Sequence, residues 1–463
     1  MPSPGEPTIR RPWLTRRNVN LLLAGLVLLF VGVGASTVYR AAFGERERSD
    51  FTVYQAAGQA VVQGTNIYEA KNVRGWYFTA LPLFAIVSVP LGMLSKAAGS
   101  AVWYLICTAA LLHAAWVAAR LAERTSGASR AGPVGTALAG LALTAWPWLS
   151  GLTRGQVSVL LAWLVIVAID AFLRYPKSYL RLFAGGLALS GAIVAKAFPG
   201  LLIGWIILRG QWRATVITML ALFLLLVPVP SLVFGWSENA ALLHRWVTRV
   251  ALPLGDAQQE AHARYDQMLD PRIDKNQSLQ AVAIRIAAPS EEPGEADPRE
   301  STARYAATGL GLLLLGLGSV ACLVSGRRAL RGEEDGLAVG VRQASIFILL
   351  SLFLAPLAWT HYYTVALLPV SVAAAAGFGG GMARPWSRRY AAATTAWAAG
   401  YALALVPLFY ELGTHLFAGL ALWAVLVWHL LSPTSHGSPV ATGEEESGAR
   451  MPEGATPAGY PSV

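Results

Sequence analysis

Asp50 is the carboxylate whose surroundings point most clearly to chemistry. It follows the first long apolar run and directly precedes a stretch whose small apolar residues recur at the spacing of a helix face. The members of that face are Val53, Ala56, Ala57, Ala60 and Val61, with Gln55 and Gln59 opposite. This pattern predicts a short amphipathic helix at a membrane surface, with the Asp50 carboxylate fixed at its start. The same position suits a helix N-cap, so on spacing alone capping remains the alternative.

Two cations interrupt otherwise apolar stretches. Arg154 lies in the polar connection 153–156 between two apolar runs, where a guanidinium could bind a phosphate bidentately. The alternative is a plain turn between two helices. Lys196 opens the segment 196–199, and an ionisable residue at membrane depth is a functional candidate by default. A lysine that reaches the interface along its aliphatic stem is the alternative there.

Two further polar segments give weaker signals. Residues 274–279 concentrate hydrogen-bonding side chains, among them Asn276 and Gln277, which suits a sugar ligand but also any external loop. Residues 359–363 place His361 among Trp and Tyr side chains of the kind that form interfacial belts. The aromatic residues need no special explanation, whereas His361 is a titratable donor beside the other candidates.

Composition places these side chains in a membrane protein. Of the 463 residues, 55% are hydrophobic and 13% are charged. Soluble domains have about 45–50% apolar and about 25% charged residues, so a disordered protein, a nucleic-acid reader and an ordinary cytosolic enzyme are excluded. Both cysteines, Cys107 and Cys322, lie inside apolar runs, so we expect neither a disulfide framework nor a metal cluster. Without a nucleotide-binding glycine motif, a transfer reaction must use a donor that reaches the outer face in the lipid.

The elements that must position these residues are membrane-spanning helices, since long apolar runs recur along the chain. The runs are 19–39, 99–121, 132–151, 157–173, 213–235, 305–325, 337–357, 362–382, 390–410 and 413–431. The stretch 180–209 is predicted to form two short helices, because a lysine and a proline interrupt it at 196–199. The segment 77–94 contains two prolines and is predicted to lie in the outer interface. About twelve spans result.

Basic clusters set the predicted orientation, because cytoplasmic loops collect Lys and Arg. The clusters are Arg16/Arg17, Arg120/Arg124/Arg130, Arg174/Lys177/Arg181, Arg209/Arg213, Arg327/Arg328/Arg331 and Arg384/Arg388/Arg389. All six can be cytoplasmic only if 77–94 does not cross the membrane. In the alternative, 77–94 crosses and 180–209 crosses once, which leaves two clusters outside. The net charge of +10 is thus explained by membrane anchoring, without nucleic acid.

The chain is predicted to divide into five parts. These are a cytoplasmic N-terminus (1–18), a core (19–235) with a first external loop (40–98), a large external loop (236–303), C-terminal transmembrane helices (304–431) and a disordered cytoplasmic tail (432–463). The large loop holds eleven acidic and seven basic side chains, which fits the external side. Asp170 and Arg174, four residues apart at an inner helix end, are predicted to form a structural ion pair.

In their order along the chain, several motifs resemble glycosyltransferase family 87, a family of polyprenol-phosphate-sugar-dependent membrane enzymes of the GT-C type. The matching positions are Asp50-Phe51-x-Val53-Tyr54-x-Ala56-Ala57, Tyr68, Pro82-Leu83-Phe84, Gly155-Gln156-Val157, Lys196-x-x-Pro199, Asn276-Gln277-Ser278-Leu279 and Trp359-x-His361-Tyr362. The resemblance covers roughly 15–370. It departs from the family at 78–82, where a Tyr-Pro-Pro element is more usual, and at Tyr362-Tyr363, where a second histidine is common.

The resemblance implies an all-α polytopic GT-C fold and transfer of a hexose, mannose above all, from a polyprenyl phosphate to a hydroxyl of a lipid-linked or cell-envelope glycan. It makes Asp50 the general base and Lys196, Arg154 and His361 the candidates for stabilising the departing phosphate. The sugar or the acceptor would be contacted by Gln156, Tyr54, Asn276 and Gln277. Alternatively, Asn276 and Gln277 would order the loop over the site. The reaction would invert the anomeric centre.

The same resemblance implies a multi-pass protein of the inner (plasma) membrane, with its site on the periplasmic or extracellular side. We expect no cofactor and no metal, since no Asp-x-Asp motif accompanies Asp50. The partners would be the lipid-linked donor, the glycan acceptor and the bilayer, with no nucleic acid. A secondary transporter or lipid flippase is the alternative, although transporters place ionisable residues in mid-span and often show inverted repeats. A membrane scaffold would need neither Asp50 nor Lys196.

Overall fold

A computed structural model describes residues 16–43, 49–126, 132–251, 272–288 and 298–432. Helices make up nearly all of this part of the chain, which contains two isolated β-bridges and no longer strand. The predicted tail, apart from its first residue, lies outside the described residues, as do most of the predicted N-terminus and much of the large loop.

Twenty α-helices follow one another in the described part of the chain. The first ten are α1 (Arg16–Ala42), α2 (Phe51–Gln63), α3 (Pro82–Val87), α4 (Val89–Gly92), α5 (Lys96–Ser126), α6 (Gly132–Leu143), α7 (Ala145–Thr153), α8 (Ser158–Arg174), α9 (Tyr179–Ala195) and α10 (Leu201–Leu208). The others are α11 (Trp212–Leu226), α12 (Pro228–Phe234), α13 (Trp236–Trp246), α14 (Leu279–Ala287), α15 (Pro298–Leu330), α16 (Gly336–Phe353), α17 (Leu367–Phe378), α18 (Arg384–Leu403), α19 (Pro407–Glu411) and α20 (Thr414–Leu431). Single 3-10 turns occupy Ile67–Glu69 and Phe198–Gly200, and a longer 3-10 segment occupies Thr360–Ala366.

In the described part of the chain, seven helical segments are long and apolar enough to cross a membrane, which confirms an all-α polytopic membrane protein. They are Leu23–Ala42, Lys96–Ser126, Trp212–Phe234, Arg299–Leu330, Gly336–Phe353, Thr360–Phe378 and Thr414–Leu431. Three shorter apolar helices, Gly132–Leu143, Tyr179–Ala195 and Phe198–Leu208, accompany them. The total of about twelve spans stays a prediction.

Both segments that the sequence predicts to be interrupted are interrupted. The region 77–94 forms only α3 and α4, of six and four residues, which are too short to cross a bilayer. In 180–209, α9 ends before Lys196, whose backbone is extended, and α10 begins after a 3-10 turn that contains Pro199. The alternative arrangement, in which 77–94 crosses the membrane and 180–209 crosses once, is not favoured by these breaks and stays a prediction about topology.

The segments α16 and α17 form the centre of the bundle. From Ala338 to Phe353 every residue of α16 is buried, and α17 is buried from Leu367 to Ala376. The 3-10 turn before α17 packs against α7 and α8. This core holds the segment around His361 firmly against the α7–α8 connection.

Five of the predicted cytoplasmic clusters lie at the opposite end of the bundle from Asp50. Helix α8 begins beside Gln156 and runs 17 residues to Arg174, so Arg174 lies roughly 25 Å from that glutamine. Contacts at this far end are the pair Asp170–Arg174 at 3.1 Å, Arg181 over Tyr175 at 5.0 Å, Arg213 over Tyr179 at 5.6 Å, Arg342 with the Thr125 carbonyl, Arg328 with the Leu431 carbonyl at 3.1 Å and Arg389 over Trp428 at 3.9 Å. The first of these confirms the predicted structural ion pair.

Candidate active site

Asp50 is the N-cap residue of α2, but its side chain does not cap the helix. The carboxylate instead accepts a hydrogen bond from the side-chain amide of Gln156. Its backbone N–H donates to the carbonyl of Arg154 over 2.7 Å, which ties the start of α2 to the α7–α8 connection. Capping, the alternative left open by the spacing, therefore does not explain this aspartate.

Gly155 permits this close approach of two chain segments. Its φ of 64° lies in the left-handed region that favours glycine. A Cβ at this position would lie 2.8 Å from the Cβ of Phe51 and 2.9 Å from the Oγ of Ser49. The indole N–H of Trp103 donates to the Gly155 carbonyl over 2.9 Å and holds the turn from the other side.

Gln156 connects three functional side chains. Its Nε2 donates to Asp50, while its Oε1 accepts from the Lys196 ammonium over 3.3 Å and from the Tyr54 hydroxyl over 3.4 Å. Only 7% of the Gln156 surface is exposed, so these bonds compete little with water. Carboxylate and ammonium are thus held at a fixed separation by one amide.

Aromatic rings hold Lys196 on its other side. Its Nζ lies 3.7 Å from the centroid of the Tyr362 ring, a cation–π contact, and Phe198 stacks on that ring at 5.4 Å. Burial lowers the pKa of Lys196 to about 7, although the charge of Asp50 opposes this shift. The lysine therefore titrates near neutrality.

Burial also raises the pKa of the Asp50 carboxyl above its ordinary value. The hydrogen bond from Gln156 opposes this rise first, followed by the charges of Arg154 and Lys196. The pKa of Tyr54 is raised well above its usual range by burial and by Asp50, so the tyrosine stays a neutral hydrogen-bonding group. A carboxylate of increased basicity next to a cation of decreased pKa is an arrangement suited to proton transfer.

His361 completes this part of the site. Its ring packs edge-on against Tyr362 at 4.9 Å and against Trp359 at 5.7 Å, and only 1% of its surface is exposed. Its Nε2 has no hydrogen-bond partner in the described part of the chain. That nitrogen is buried in the wall of the adjoining space.

A cavity of about 1140 Å³ brings the predicted residues together. It is lined by Asp50, Tyr54, Arg154, Gln156, Lys196 and His361, which come from four separate parts of the sequence. Lys196 is partly buried and Arg154 is exposed, so the lysine lies deeper. The described residues include no group of three His, Cys, Asp or Glu side chains that could hold a metal ion.

Asn276 and Gln277 do not line this cavity, so the structure does not support direct sugar contact by their side chains. The Asn276 amide donates to the Pro356 carbonyl over 2.9 Å and accepts from the Ala358 N–H over 3.0 Å. Gln277 donates to the carbonyls of Asp274 and Tyr410 over 2.7 and 2.9 Å. Buried amides that satisfy backbone groups fit the other expectation, that these residues order the loop.

Several lining residues were not predicted from the sequence, among them the cations Arg40, Arg74 and Lys275 and the ring of Tyr362. All three cations belong to segments predicted to be external, where the positive-inside rule does not explain them. This departure from the positive-inside rule was the sequence signal that could have identified the three cations as site residues. The segment 77–81 adds backbone to the wall, and Trp246 holds it by donating to the Thr79 carbonyl over 3.0 Å.

Comparison with known proteins gives one family match. The model of glycosyltransferase family 87 matches residues 78–351, more than half of the chain. This range includes Arg154, Gln156 and Lys196 and excludes Asp50 and His361. A comparison with curated protein sequences finds no significant match.

Among solved structures, the chain is similar to two crystal structures of ArnT from Cupriavidus metallidurans. One is bound to undecaprenyl phosphate, with a TM-score of 0.36, and the other is in the apo state, with a TM-score of 0.32. Each is 13% identical in sequence, over 88% of this chain and 77% of the other.

Proposed function

The chain belongs to glycosyltransferase family 87, and we propose that it transfers a hexose, mannose by preference, from a polyprenyl phosphate to a hydroxyl of a lipid-linked or cell-envelope glycan. The observation that carries the proposal is the Asp50–Gln156–Lys196 arrangement at the wall of a large cavity. A base and a phosphate-binding cation are the two groups that such a transfer requires.

Asp50 acts as the general base in this proposal. Its carboxylate takes the proton of the acceptor hydroxyl as that oxygen attacks the anomeric carbon of the donor sugar. The bond between the anomeric carbon and the phosphate oxygen breaks, and its electron pair leaves with the phosphate. Attack from the face opposite the phosphate inverts the anomeric centre. The raised pKa of Asp50 increases its strength as a base.

Lys196 and Arg154 stabilise the leaving group. The donor phosphate is a diester with one negative charge, and it leaves as a monoester that carries more negative charge. Cations already in place are worth most where charge develops in the transition state. Lys196 lies deep in the cavity beside Gln156, and Arg154 follows on from the same connection, so both can face one phosphate. His361 supplies a further nitrogen on the same wall.

Gln156 and Tyr54 position these groups. Gln156 hydrogen-bonds to both Asp50 and Lys196, and the Tyr54 hydroxyl donates to Gln156. The site is proposed to face the periplasm or the exterior, since the basic clusters gather at the other end of the bundle. The transporter alternative is not favoured, because the polar candidates gather at one end.

The test uses the purified full-length protein in liposomes with labelled polyprenyl-phosphate-mannose and a glycolipid acceptor. We expect Asp50→Asn to lower the rate by about 100-fold or more, since a positioned general base contributes that much. Asp170→Asn is the matched control, because Asp170 forms its ion pair at the far end of the bundle. Normal transfer by a well-expressed Asp50→Asn protein would disprove the mechanism. A wild-type protein that transfers no mannose, glucose or galactose from such donors would disprove the substrate class.

A further inference from the structure

The cavity is lined by more positive charge than the proposed reaction uses. Its described lining contains five basic side chains and one acidic side chain, Asp50. The basic ones are Arg40, Arg74, Arg154, Lys196 and Lys275. Lys196 and Arg154 are assigned to the donor phosphate, which leaves Arg40, Arg74 and Lys275, here called the outer cations.

The described part of the chain gives the outer cations no acidic partner, although Arg74 lies over the ring of Trp76 at 5.9 Å. All three side chains are exposed, and no ion pair within the described part of the chain involves any of them. A donor phosphodiester brings one negative charge and Asp50 another, which Lys196 and Arg154 can balance. Among the described lining residues, no further acidic side chain neutralises the outer cations when the donor alone is bound.

Two of the outer cations stand on loops that buried asparagines hold in shape. Asn72 accepts from the backbone N–H of Arg74 over 3.0 Å and donates to the Thr52 hydroxyl over 3.2 Å, which fixes this loop against the start of α2. Lys275 directly precedes Asn276, whose amide joins its loop to 356–358. The third, Arg40, lies in the last turn of α1. Three separate segments thus bring cations to one cavity.

The size of the cavity supports a second substrate in it. At about 1140 Å³ it exceeds the volume of most sites for a single small ligand, which is about 300–1,000 Å³. A donor sugar with its phosphate leaves room for an acceptor headgroup. Membrane anchoring does not explain the outer cations, since they lie at the end of the bundle opposite the basic clusters.

We propose that Arg40, Arg74 and Lys275 bind a phosphate group of the acceptor, so that the acceptor is a phosphodiester-containing lipid or glycan and not a neutral one. Two guanidinium groups favour phosphate, because the planar fork of arginine donates two parallel hydrogen bonds to its oxygens. The inference rests on the proposed function only in requiring that an acceptor enters this cavity.

Binding of two synthetic probes tests this proposal without turnover. One probe is a mannosyl glycerol lipid with a short alkyl chain attached through a phosphodiester, and the other is its neutral ether analogue. Both are titrated into the full-length protein in phosphatidylcholine nanodiscs. We expect the wild type to bind the phosphodiester probe about tenfold more tightly, a preference that salt weakens. The triple variant Arg40→Gln/Arg74→Gln/Lys275→Gln should lose the preference and keep its affinity for the neutral probe.

A second triple variant provides the control for general loss of charge. Arg120, Arg181 and Arg388 are equally exposed and do not line the cavity, so their replacement by Gln should leave the preference intact. Equal binding of both probes by the wild type would overturn the proposal, and so would a preference that survives in the first triple variant. A first triple variant that keeps the preference but shows a raised KM for the polyprenyl-phosphate donor would assign the outer cations to the donor. This test measures binding, whereas the test of the proposed function measures the transfer rate of Asp50→Asn. Failure of the acceptor proposal can therefore be distinguished from failure of the proposed function.

Discussion

One amide separates the carboxylate of Asp50 from the ammonium group of Lys196. Its two ends are chemically different, so only one orientation of the Gln156 side chain lets Nε2 donate to the carboxylate while Oε1 accepts from the lysine. The amide therefore fixes the distance between the proposed base and the ammonium group, and it separates them so that they form no direct ion pair. A direct pair would lower the basicity of the carboxylate that the reaction needs.

The titration of Lys196 gives a pH prediction. Because burial lowers its pKa to about 7, the cation is present below that pH and is lost as the pH rises through it. We expect kcat/KM for the donor to fall about tenfold per pH unit well above pH 7, since only the protonated lysine binds phosphate. In Lys196→Arg the guanidinium stays charged, so this alkaline decline should disappear.

The control for this pH profile is Lys177→Arg, which makes the same change at an exposed position outside the cavity. Its profile should match that of the wild type. An alkaline decline that persists unchanged in Lys196→Arg would show that another group titrates, and the role given to Lys196 would be wrong.

At the residue scale, rarity of charge was the informative signal. Asp50, Arg154 and Lys196 could be predicted because each is an ionisable residue that membrane anchoring leaves unexplained, and they line one cavity. Asn276 and Gln277 could not be assigned in the same way. An amide that binds a sugar and one that satisfies buried backbone carbonyls have the same sequence signature, and here the backbone takes both.

At the scale of elements, the connection between α7 and α8 sets the position of the carboxylate. Gly155→Ala should lower the free energy of unfolding by about 1–3 kcal/mol, because it forces a residue with a Cβ into the left-handed region. It should also slow transfer, since the new Cβ would meet Phe51 and displace the start of α2. Thermal unfolding and kcat of the same preparation measure the two effects.

Gly210→Ala is the control that separates the loss of stability expected for Gly155→Ala from its expected loss of kcat. Gly210 has nearly the same backbone conformation, with φ at 66°, but no neighbouring atom lies within 4 Å of its added Cβ. It should lose stability and keep a normal kcat. Equal loss of kcat in both variants would mean that the α7–α8 connection has no special role in positioning Asp50.

Prolines account for the breaks in the apolar runs, including one in a run predicted to be continuous. The interruptions around Pro82 and Pro199 follow from the missing N–H and the fixed φ of proline. The run 132–151 divides into α6 and α7 at Thr144, because Pro147 has no N–H to donate to the Leu143 carbonyl that ends α6. The number of spans depends on such breaks, so the sequence constrains it only loosely.

At the scale of the whole molecule, charge divides between two ends. Five basic clusters lie at one end, while the cavity with Asp50, Lys196 and the outer cations lies at the other. The positive-inside rule assigns the first end to the cytoplasm, which would leave the second end open to lipid-borne substrates at the outer face. That assignment is a prediction about orientation in the membrane, separate from the fold.

Cysteine labelling with a membrane-impermeant maleimide decides the orientation. Arg74→Cys and Lys275→Cys should be labelled in intact cells, because both positions are exposed at the cavity end. Arg181→Cys should react only after permeabilisation, since it lies among the basic clusters. The native Cys107 and Cys322 are each 2% exposed, so the wild type should give little background. Labelling of Arg181→Cys alone in intact cells would show that the protein has the opposite orientation in the membrane. The donor and acceptor would then have to be cytoplasmic. A lipid-borne donor would no longer be required, because it is proposed on the ground that the site lies at the outer face.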